Sequence, residues 1–314
     1  MNANISVIGA PSSAGAHMRG QELGPQALRA AGLLNRLHEG FDRVTDLGDL
    51  PLVRHRPDRA RRHAQNASQV LEVARTLADR IATSVDEEER LLVLGGDCTI
   101  LLGVVSGLLL RQGDLGVLYM DAQCDLNTPL KTVSGVLDSM GMAHLLGEEG
   151  AVPDIARMGP RYPLLQQEQV LFYGYEPKEM NASERDTFQR RALRGYPAAK
   201  VAADPRGAAR AALAEMESRC SRFLVHFDVD VLNFIDCPLA NIPTIGCGLE
   251  LTQALDSLEV FAASPAFAGL VITELNPAHA DEAGDTLKAF VDGVSAALSS
   301  RREVPLAVGG AGGA

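Results

Sequence analysis

The sequence predicts a single-domain α/β protein, a three-layer sandwich in which a parallel sheet lies between two layers of helices. Short apolar runs, each bounded by Gly, Asp or a charged residue, recur along the chain and predict strands. Longer segments with apolar residues at three- and four-residue spacing separate these runs and predict helices. Regular alternation of strand and helix over a whole chain is typical of a parallel sheet that helices cover on both faces.

The individual elements can be placed on the chain. Helical spacing is clearest over residues 25–37, 68–84 and 251–262. No change in composition and no Pro/Ser-rich linker divides the chain, so residues 1–308 are predicted to form one domain. Residues 309–314 are Gly and Ala only and are predicted to be a flexible tail. The apolar runs predicted as strands are residues 5–8, 91–94, 115–120, 170–173, 223–227, 270–273 and 305–308.

Composition and charge restrict the classes of partner. The formal net charge of -11 argues against nucleic acid or an anionic membrane surface as a partner. No apolar run approaches the roughly 20 residues that are needed to cross a bilayer. The five cysteines follow no CxxC spacing, and the chain shows no secretory leader. Free thiols in a reducing cytoplasm are therefore expected.

Acidic residues follow the predicted strands, at the edge where an open α/β sheet places its binding site. Asp121 and Asp125 follow one strand, and Asp228 and Asp230 follow another. Side chains two residues apart on an extended strand point the same way, so Asp228 and Asp230 can share one ligand. Four carboxylates at one edge repel one another, and one or two divalent cations such as Mg²⁺ or Mn²⁺ would relieve this. A single aspartate there could equally cap a helix, but this explains the four together less well.

Four blocks of the chain resemble, in order, the signature motifs of the ureohydrolases, the superfamily that includes the arginases. Those motifs read GGDHS, DAHxD, SxDxD and ExNP. N-terminal blocks such as ELGP and DLGDL resemble the arginase branch, and the similarity runs from about residue 8 to about residue 280. The four corresponding blocks here are GGDCT at residues 95–99, DAQCD at 121–125, FDVD at 227–230 and ELNP at 274–277.

The resemblance implies the arginase fold, with a parallel sheet of about eight strands, and a pair of Mn²⁺ ions. In the family two carboxylates, here Asp121 and Asp228, bridge the ions, and each ion is completed by a further Asp and a His. The two histidines are replaced by Cys98 and Gln123. A protonated thiol is barely a ligand and an amide oxygen is a weak one, so we expect one or two Mn²⁺ ions, held more weakly than in typical arginases and weakest near Cys98. The predicted metal ligands are Cys98, Asp121, Gln123, Asp125, Asp228 and Asp230.

The resemblance also implies contacts to an amino-acid substrate. Asn127, Thr132 and Ser134 match the loop that holds the α-carboxylate, and neutral donors suit a carboxylate because each hydrogen bond is charge-assisted. Glu179 lies near the position of the acidic residue that takes the α-amino group, and Glu176 is an alternative.

Three residues are predicted to act in catalysis: Asp125, Asp138 and Glu274. Glu274 matches the glutamate that binds the guanidinium nitrogens in the family. Asp138 stands where the family has a proton-shuttling histidine. An ordinary Asp pKa lies far below neutrality, so Asp138 can serve as an acid only if its pKa is raised.

Three interpretations of function remain open. A weakened metal centre beside an amino-acid clamp favours a guanidino group that is easier to hydrolyse, such as that of Nω-hydroxy-L-arginine, which would give L-ornithine and hydroxyurea in a specialised biosynthetic pathway. The alternatives are a slow L-arginine hydrolase and a catalytically impaired family member that binds an amino acid or an oligomer partner. The presence of all four aspartates and Glu274 argues against the impaired protein. The resemblance further implies a homo-oligomer, a trimer or hexamer.

Overall fold

The predicted parallel sheet is present in the computed structural model, which describes residues 4–111, 113–132 and 134–299. Within these residues the strands are β1 (Asn4–Gly9), β2 (Arg43–Asp49), β3 (Arg90–Leu94), β4 (Gly116–Met120), β5 (Val170–Tyr175), β6 (Gly195–Pro197), β7 (Phe223–Asp228) and β8 (Phe267–Thr273). They form one eight-stranded sheet in the order β2-β1-β3-β8-β7-β4-β5-β6, and every neighbouring pair is parallel.

Helices cover both faces of this sheet, as predicted for a three-layer sandwich. In the described part of the chain they are α1 (Gly24–Ala30), α2 (Leu33–Gly40), α3 (Ala67–Ser84), α4 (Ile100–Arg111), α5 (Gly141–Leu145), α6 (Pro153–Ala156), α7 (Ala182–Arg190), α8 (Ala198–Ala203), α9 (Pro205–Glu217), α10 (Leu251–Ala262) and α11 (Asp285–Ser299). On one face α2, α9, α10 and α11 pack in a row, and on the other α3 packs against α4.

The central strands are apolar throughout because both of their faces are buried. In β3, Leu92 and Leu94 point into one hydrophobic core, while Leu91 and Val93 point into the other. Strand side chains alternate between the two faces of a sheet, so a strand that helices cover on both sides must be apolar at every position. This is why the central strands were recognisable as continuous apolar runs.

The sequence does not predict three features of the fold: the two edge strands and the interruption of one helix. The sequence does not predict β2 or β6, because β2 carries partly exposed polar residues and β6 spans only Gly195–Pro197. The helix expected over residues 25–37 is two helices, since Gly32 adopts the left-handed conformation with φ 91°, which favours glycine. The strand predicted at residues 305–308 and the tail at 309–314 lie outside the described residues.

Two further observations concern the class of protein. Among the described residues, no helix is both long enough and apolar enough to cross a membrane. All five cysteines lie in the described part of the chain and are free, as the sequence predicts. The fold therefore depends on the two hydrophobic cores and not on covalent cross-links.

Candidate active site

The predicted site residues meet at the carboxyl edge of four adjacent central strands, β3, β8, β7 and β4. Cys98 lies in the turn between β3 and α4, and Glu274 directly follows β8. Asp228 ends β7, and Asp121 directly follows β4. Parallel strands present their carboxyl ends at one edge, so residues far apart in the sequence converge there. The cavity at this edge is lined by His17, Cys98, Asp121, Gln123, Asp125, Val136, Asp138, Ser139, Asp228, Asp230, Ile242 and Glu274.

The turn after β3 requires close backbone packing. A Cβ atom on Gly96 would lie 1.8 Å from the carbonyl oxygen of Ser12, so only glycine fits there. The next residue, Asp97, is buried and accepts a hydrogen bond of 3.0 Å from the backbone N–H of Gly15. Asp97 thus anchors the N-terminal loop, and Cys98 is the residue of this turn that lines the cavity.

All four aspartates predicted as metal ligands are buried and line the cavity: Asp121, Asp125, Asp228 and Asp230. Asp228 accepts from the backbone N–H of Asp230 at 2.8 Å, and Asp121 accepts from that of Gln123 at 2.6 Å. Burial, and then the neighbouring carboxylates, raises the pKa of Asp125, Asp228 and Asp230 well above its usual range. Burial raises the pKa of Asp121 to about 7.

This donor set fits a cation. Among the described residues that line the cavity, none is Lys or Arg, so no cationic side chain there neutralises the four aspartates. Buried carboxylates without a countercharge are unfavourable, and divalent cations prefer oxygen ligands of this kind. The residues present therefore fit one or two divalent ions.

The two residues that replace the histidines of the family motifs also reach the cavity. The Cys98 thiol is buried and donates to an Asp228 carboxylate oxygen at 2.7 Å. Burial, and then the charge of Asp228, raises the pKa of this thiol well above its usual value. Gln123 is half-buried and lines the same cavity. Cys98 in this state is a thiol donor, and its weak binding of Mn²⁺ stays a prediction.

Glu274 is held in a strained conformation that turns its side chain to the cavity. Its φ of 60° lies in the left-handed region, as does the φ of 49° at Asp125. Such conformations cost on the order of 1–3 kcal/mol each and cluster at functional sites. Both carboxylate oxygens of Glu274 are buried, and apart from the neighbouring Asp138 carboxyl they have no hydrogen-bond partner among the described residues. Glu274 is therefore placed to bind a donor that enters the cavity.

Asp138 lies beside Glu274 and Cys98, with coordinating atoms of the three residues within 4.8 Å of one another. Its carboxylate accepts from the backbone N–H of Cys98 at 2.7 Å. Burial, and then the charge of Asp97, raises the pKa of Asp138 well above its usual value. The pKa of Asp138 is thus shifted in the direction that its predicted role as an acid requires.

His226 is a site residue that the sequence reasoning missed. It lies on β7 and is completely buried, with Nε2 3.5 Å from the Cys98 sulfur and 3.7 Å from an Asp121 oxygen. Burial lowers the pKa of His226 to about 3, so the imidazole is neutral. A signal was present in the sequence, because alternation puts residue 226 on the same side of the strand as Asp228. The family motif SxDxD has Ser at this position.

The predicted carboxylate clamp, formed by Asn127, Thr132 and Ser134, borders the cavity without lining it. The hydroxyl groups of Thr132 and Ser134 lie 3.1 Å apart, and the Asn127 side-chain oxygen accepts from Asn181 at 2.8 Å. The backbone N–H of Asn127 donates to the carbonyl of Ser139, a residue of the cavity wall, at 3.2 Å. The clamp residues are therefore adjacent to the cavity, one layer outside the aspartates.

The two candidates for the α-amino contact, Glu179 and Glu176, lie in the segment after β5. Glu179 is exposed in the segment after β5, and Glu176 is half-buried there. Neither belongs to the cavity lining given by the described residues. Burial first, and then the nearby charges of Glu176 and Glu179, raises the pKa of the Cys247 thiol.

The parallel sheet and the aspartate-lined cavity at its carboxyl edge define a ureohydrolase-type protein. The chain belongs to the arginase family, whose sequence model matches residues 3–299. It is 32% identical to Arginase-1 from Homo sapiens over 282 residues, which are 87% of this chain and 85% of the human protein. It is 29% identical to the arginase of Brevibacillus brevis over 280 residues, 88% of this chain and 92% of that protein. The crystal structure of arginase from Bacillus cereus superposes with a TM-score of 0.85 at 27% identity, covering 96% of this chain and 99% of the other.

Proposed function

We propose that the protein hydrolyses the guanidino C–N bond of an L-arginine-like amino acid, and that its preferred substrate is Nω-hydroxy-L-arginine. The observation that carries the proposal is the placement of Glu274. Its two buried carboxylate oxygens have no partner among the described residues except the Asp138 carboxyl, and they face a cavity that also holds four aspartates. A planar guanidino group presents paired N–H donors that satisfy a carboxylate at two points, which few other substrates do.

Mn²⁺ is the proposed cofactor. Asp121, Gln123, Asp228 and Asp230 would hold one ion, and Asp125 with Cys98 would contribute to a second, weaker position. The chemistry that such a cation supplies when bound is the activation of water as a nucleophile near neutral pH. The loss of two imidazole ligands should weaken this activation, which is why a more reactive substrate is proposed.

The side chains of the chain itself orient the substrate and move its proton. Glu274 binds the guanidino nitrogens, and Asn127, Thr132 and Ser134 bind the α-carboxylate through the loop that adjoins the cavity wall. Water adds to the guanidino carbon, and the bond from that carbon to the δ-nitrogen breaks. Of the two protons of this water, one goes to the hydroxylated nitrogen and one replaces the proton that Asp138 gives to the departing δ-nitrogen. The products are L-ornithine and hydroxyurea, and the atoms of substrate and one water are all accounted for.

The hydroxyl group of Nω-hydroxy-L-arginine compensates for a weak metal centre. Its oxygen withdraws electrons, so a neutral and more electrophilic guanidine becomes accessible. A hundredfold preference over L-arginine in kcat/KM corresponds to about 2.7 kcal/mol of transition-state stabilisation. One hydroxyl contact in a site built for it can supply an energy of that size.

The test compares three substrates in the presence of Mn²⁺: Nω-hydroxy-L-arginine, L-arginine and agmatine. We expect release of L-ornithine from the first with a kcat/KM at least about a hundredfold above that for the second. Glu274→Gln should abolish turnover, whereas Glu282→Gln, a change at an exposed glutamate, should not. Preference for L-arginine would support the slow arginase, and binding without turnover would support the impaired protein. Preference for agmatine, which lacks the α-carboxylate, would overturn the clamp.

The resemblance supports further proposals about the whole protein. We propose that residues 1–308 form one domain with a tail at 309–314, and that the protein is a cytoplasmic homo-oligomer, a trimer or hexamer. Light scattering of the purified full chain measures the mass of the assembly. A monomeric mass at micromolar concentration would contradict the oligomer.

A further inference from the structure

We infer that four buried residues form a zinc site: Cys98, Asp121, His226 and Asp228. The Cys98 thiolate and the imidazole of His226, which lies on β7, together replace the imidazole that the family motif has at position 98. The coordinating atoms of these four buried residues lie within 4.8 Å of one another. The inference goes beyond the proposed function, because it assigns zinc instead of manganese to the weaker of the two metal positions, the one at Cys98, and adds a ligand outside the family motifs. It can also be tested without any turnover.

The distances between the ligand atoms approach those of a tetrahedral zinc centre. Zinc–ligand bonds of about 2.3 Å to sulfur and about 2.0–2.2 Å to nitrogen or oxygen imply edges of about 3.6 Å for sulfur to nitrogen and about 3.4 Å for nitrogen to oxygen. The Cys98 sulfur lies 3.5 Å from His226 Nε2, and that nitrogen lies 3.7 Å from Asp121 Oδ2. Two edges therefore need little adjustment before an ion can bind.

The third measured edge, from the Cys98 sulfur to the Asp228 oxygen, is shortened by a hydrogen bond. The Cys98 sulfur and the Asp228 oxygen are 2.7 Å apart because the thiol donates to the carboxylate. Binding of Zn²⁺ replaces this proton, which leaves to the solvent buffer, and the two atoms then separate by just under 1 Å to about 3.6 Å. No oxidant or other reactant is required for this exchange.

The chemistry of the donors favours zinc over manganese at this position. Manganese prefers oxygen ligands, whereas one thiolate, one imidazole and two carboxylates form the mixed set that suits a borderline cation such as Zn²⁺. The set is also held deep in the fold, since Cys98 is 3% exposed and His226 is 0% exposed. A buried site of this kind retains its ion against dialysis.

His226 carries an independent sign that a ligand is expected. The nitrogen that faces the cluster, Nε2, makes only long contacts, of 3.5 Å to the Cys98 sulfur and 3.4 Å to the Thr273 hydroxyl. A buried ring nitrogen without a close partner is unfavourable, and a cation bound at Nε2 would supply one. The Tyr119 ring stacks on the imidazole with an interplanar angle of 4°, which holds Nε2 toward the cluster.

The test uses Zn²⁺ for stoichiometry and Co²⁺ as a spectroscopic probe of the thiolate. The full chain is stripped with a chelator, reloaded and dialysed, and its metal content is measured. We expect about one Zn²⁺ per chain to remain, and Co²⁺ to produce a thiolate-to-cobalt charge-transfer absorption. Cys98→Ser should remove this absorption, and His226→Gln should weaken Zn²⁺ binding at least about tenfold.

The matched control is Cys124→Ser, which alters a buried thiol of the neighbouring turn that is not part of the cluster. It should keep both the retained Zn²⁺ and the absorption, and circular dichroism of each variant shows whether it is folded. Cys98→Ser is nearly isosteric, so it decides the question even if His226→Gln does not fold. A Co²⁺ spectrum without the charge-transfer absorption, or Zn²⁺ retention that Cys98→Ser leaves unchanged, would overturn the site. Failure of Nω-hydroxy-L-arginine turnover alone would count against the proposed function and not against the zinc site.

Discussion

Tyr119 and His226 stack face to face behind the aspartates of the candidate active site, with ring centroids 4.3 Å apart and planes at 4°. The Tyr119 hydroxyl also donates a hydrogen bond to Asp125. One buried side chain thus positions an imidazole of the proposed zinc site and a carboxylate of the proposed manganese site. Groups that orient metal ligands in this way typically affect metal affinity by 10-fold or more.

Tyr119→Phe separates these two roles, because the ring stays and the hydroxyl donor is lost. We expect Mn²⁺ affinity to fall about tenfold, because Asp125 loses its hydrogen-bond donor, while the Co²⁺ absorption is kept, because the Cys98 thiolate is untouched. Calorimetric titration measures the affinity. Tyr173→Phe is the control, because that fully buried hydroxyl contacts Ser257 and not the cavity. Equal affinity in Tyr119→Phe and the unmodified protein would show that the hydroxyl does not position Asp125.

Restoring the two histidines of the family motifs should strengthen Mn²⁺ binding. The double variant Cys98→His with Gln123→His replaces a thiol and an amide with imidazole ligands, and we expect affinity to rise about 10-fold or more. Metal content after dialysis against a chelator provides the measurement. The unmodified protein already retaining two tightly held Mn²⁺ ions would contradict the weakening assigned to Cys98 and Gln123.

Gly96→Ala tests the backbone packing that shapes the turn after β3. The added Cβ would lie 1.8 Å from the Ser12 carbonyl oxygen, so the backbone must shift, and we expect a loss of about 1–3 kcal/mol in the free energy of unfolding. Gly113→Ala is the control, since its Cβ would meet nothing within 4 Å, and its effect should stay within about 0.5 kcal/mol. Urea unfolding of both variants measures the difference. Equal stabilities would mean that the turn relaxes without cost.

The burial of His144 predicts that the folded protein loses stability in mild acid. It is buried, its Nδ1 donates to the Met140 carbonyl at 2.7 Å, and its Nε2 accepts from the Val152 N–H at 3.1 Å. Burial lowers the pKa of His144 to about 4 from an ordinary value of 6.5. The folded state therefore resists protonation, so the contribution is complete above pH 6.5 and is lost as pH falls from 6.5 toward 4, by about 2 kcal/mol at pH 5.

The measurement is urea unfolding of the unmodified protein and of His144→Gln at pH 8 and at pH 5. The decrease in the free energy of unfolding between these pH values should be smaller in His144→Gln by about 2 kcal/mol. His38→Gln, a change at an exposed histidine of α2, should keep the full decrease. A decrease of the same size in all three proteins would assign the acid sensitivity to other groups.

Sequence patterns locate the elements well where burial is uniform and poorly at the edges of the sheet. β7 and β8 are buried at every residue, so they stand out as apolar runs. β2 pairs with only one neighbour and carries polar residues, and its Asp46 and Asp49 instead form ion pairs with Arg29. Such a strand is held by pairing with one neighbour and by ion pairs of its side chains, and neither produces a periodic pattern of apolar residues in the sequence.

The amino-acid sequence by itself determined the α/β class, the central strands and the acidic residues at their ends, because each depends on local alternation or on residues close together in the chain. Only the tertiary structure decided which side chains meet. Cys98 and Thr273 are 175 residues apart, yet their sulfur and oxygen lie 3.3 Å from each other because β3 and β8 pair in the sheet. The role of His226 follows from the same cause, since the pairing of β7 with β4 and β8 carries its imidazole between Cys98 and Asp121.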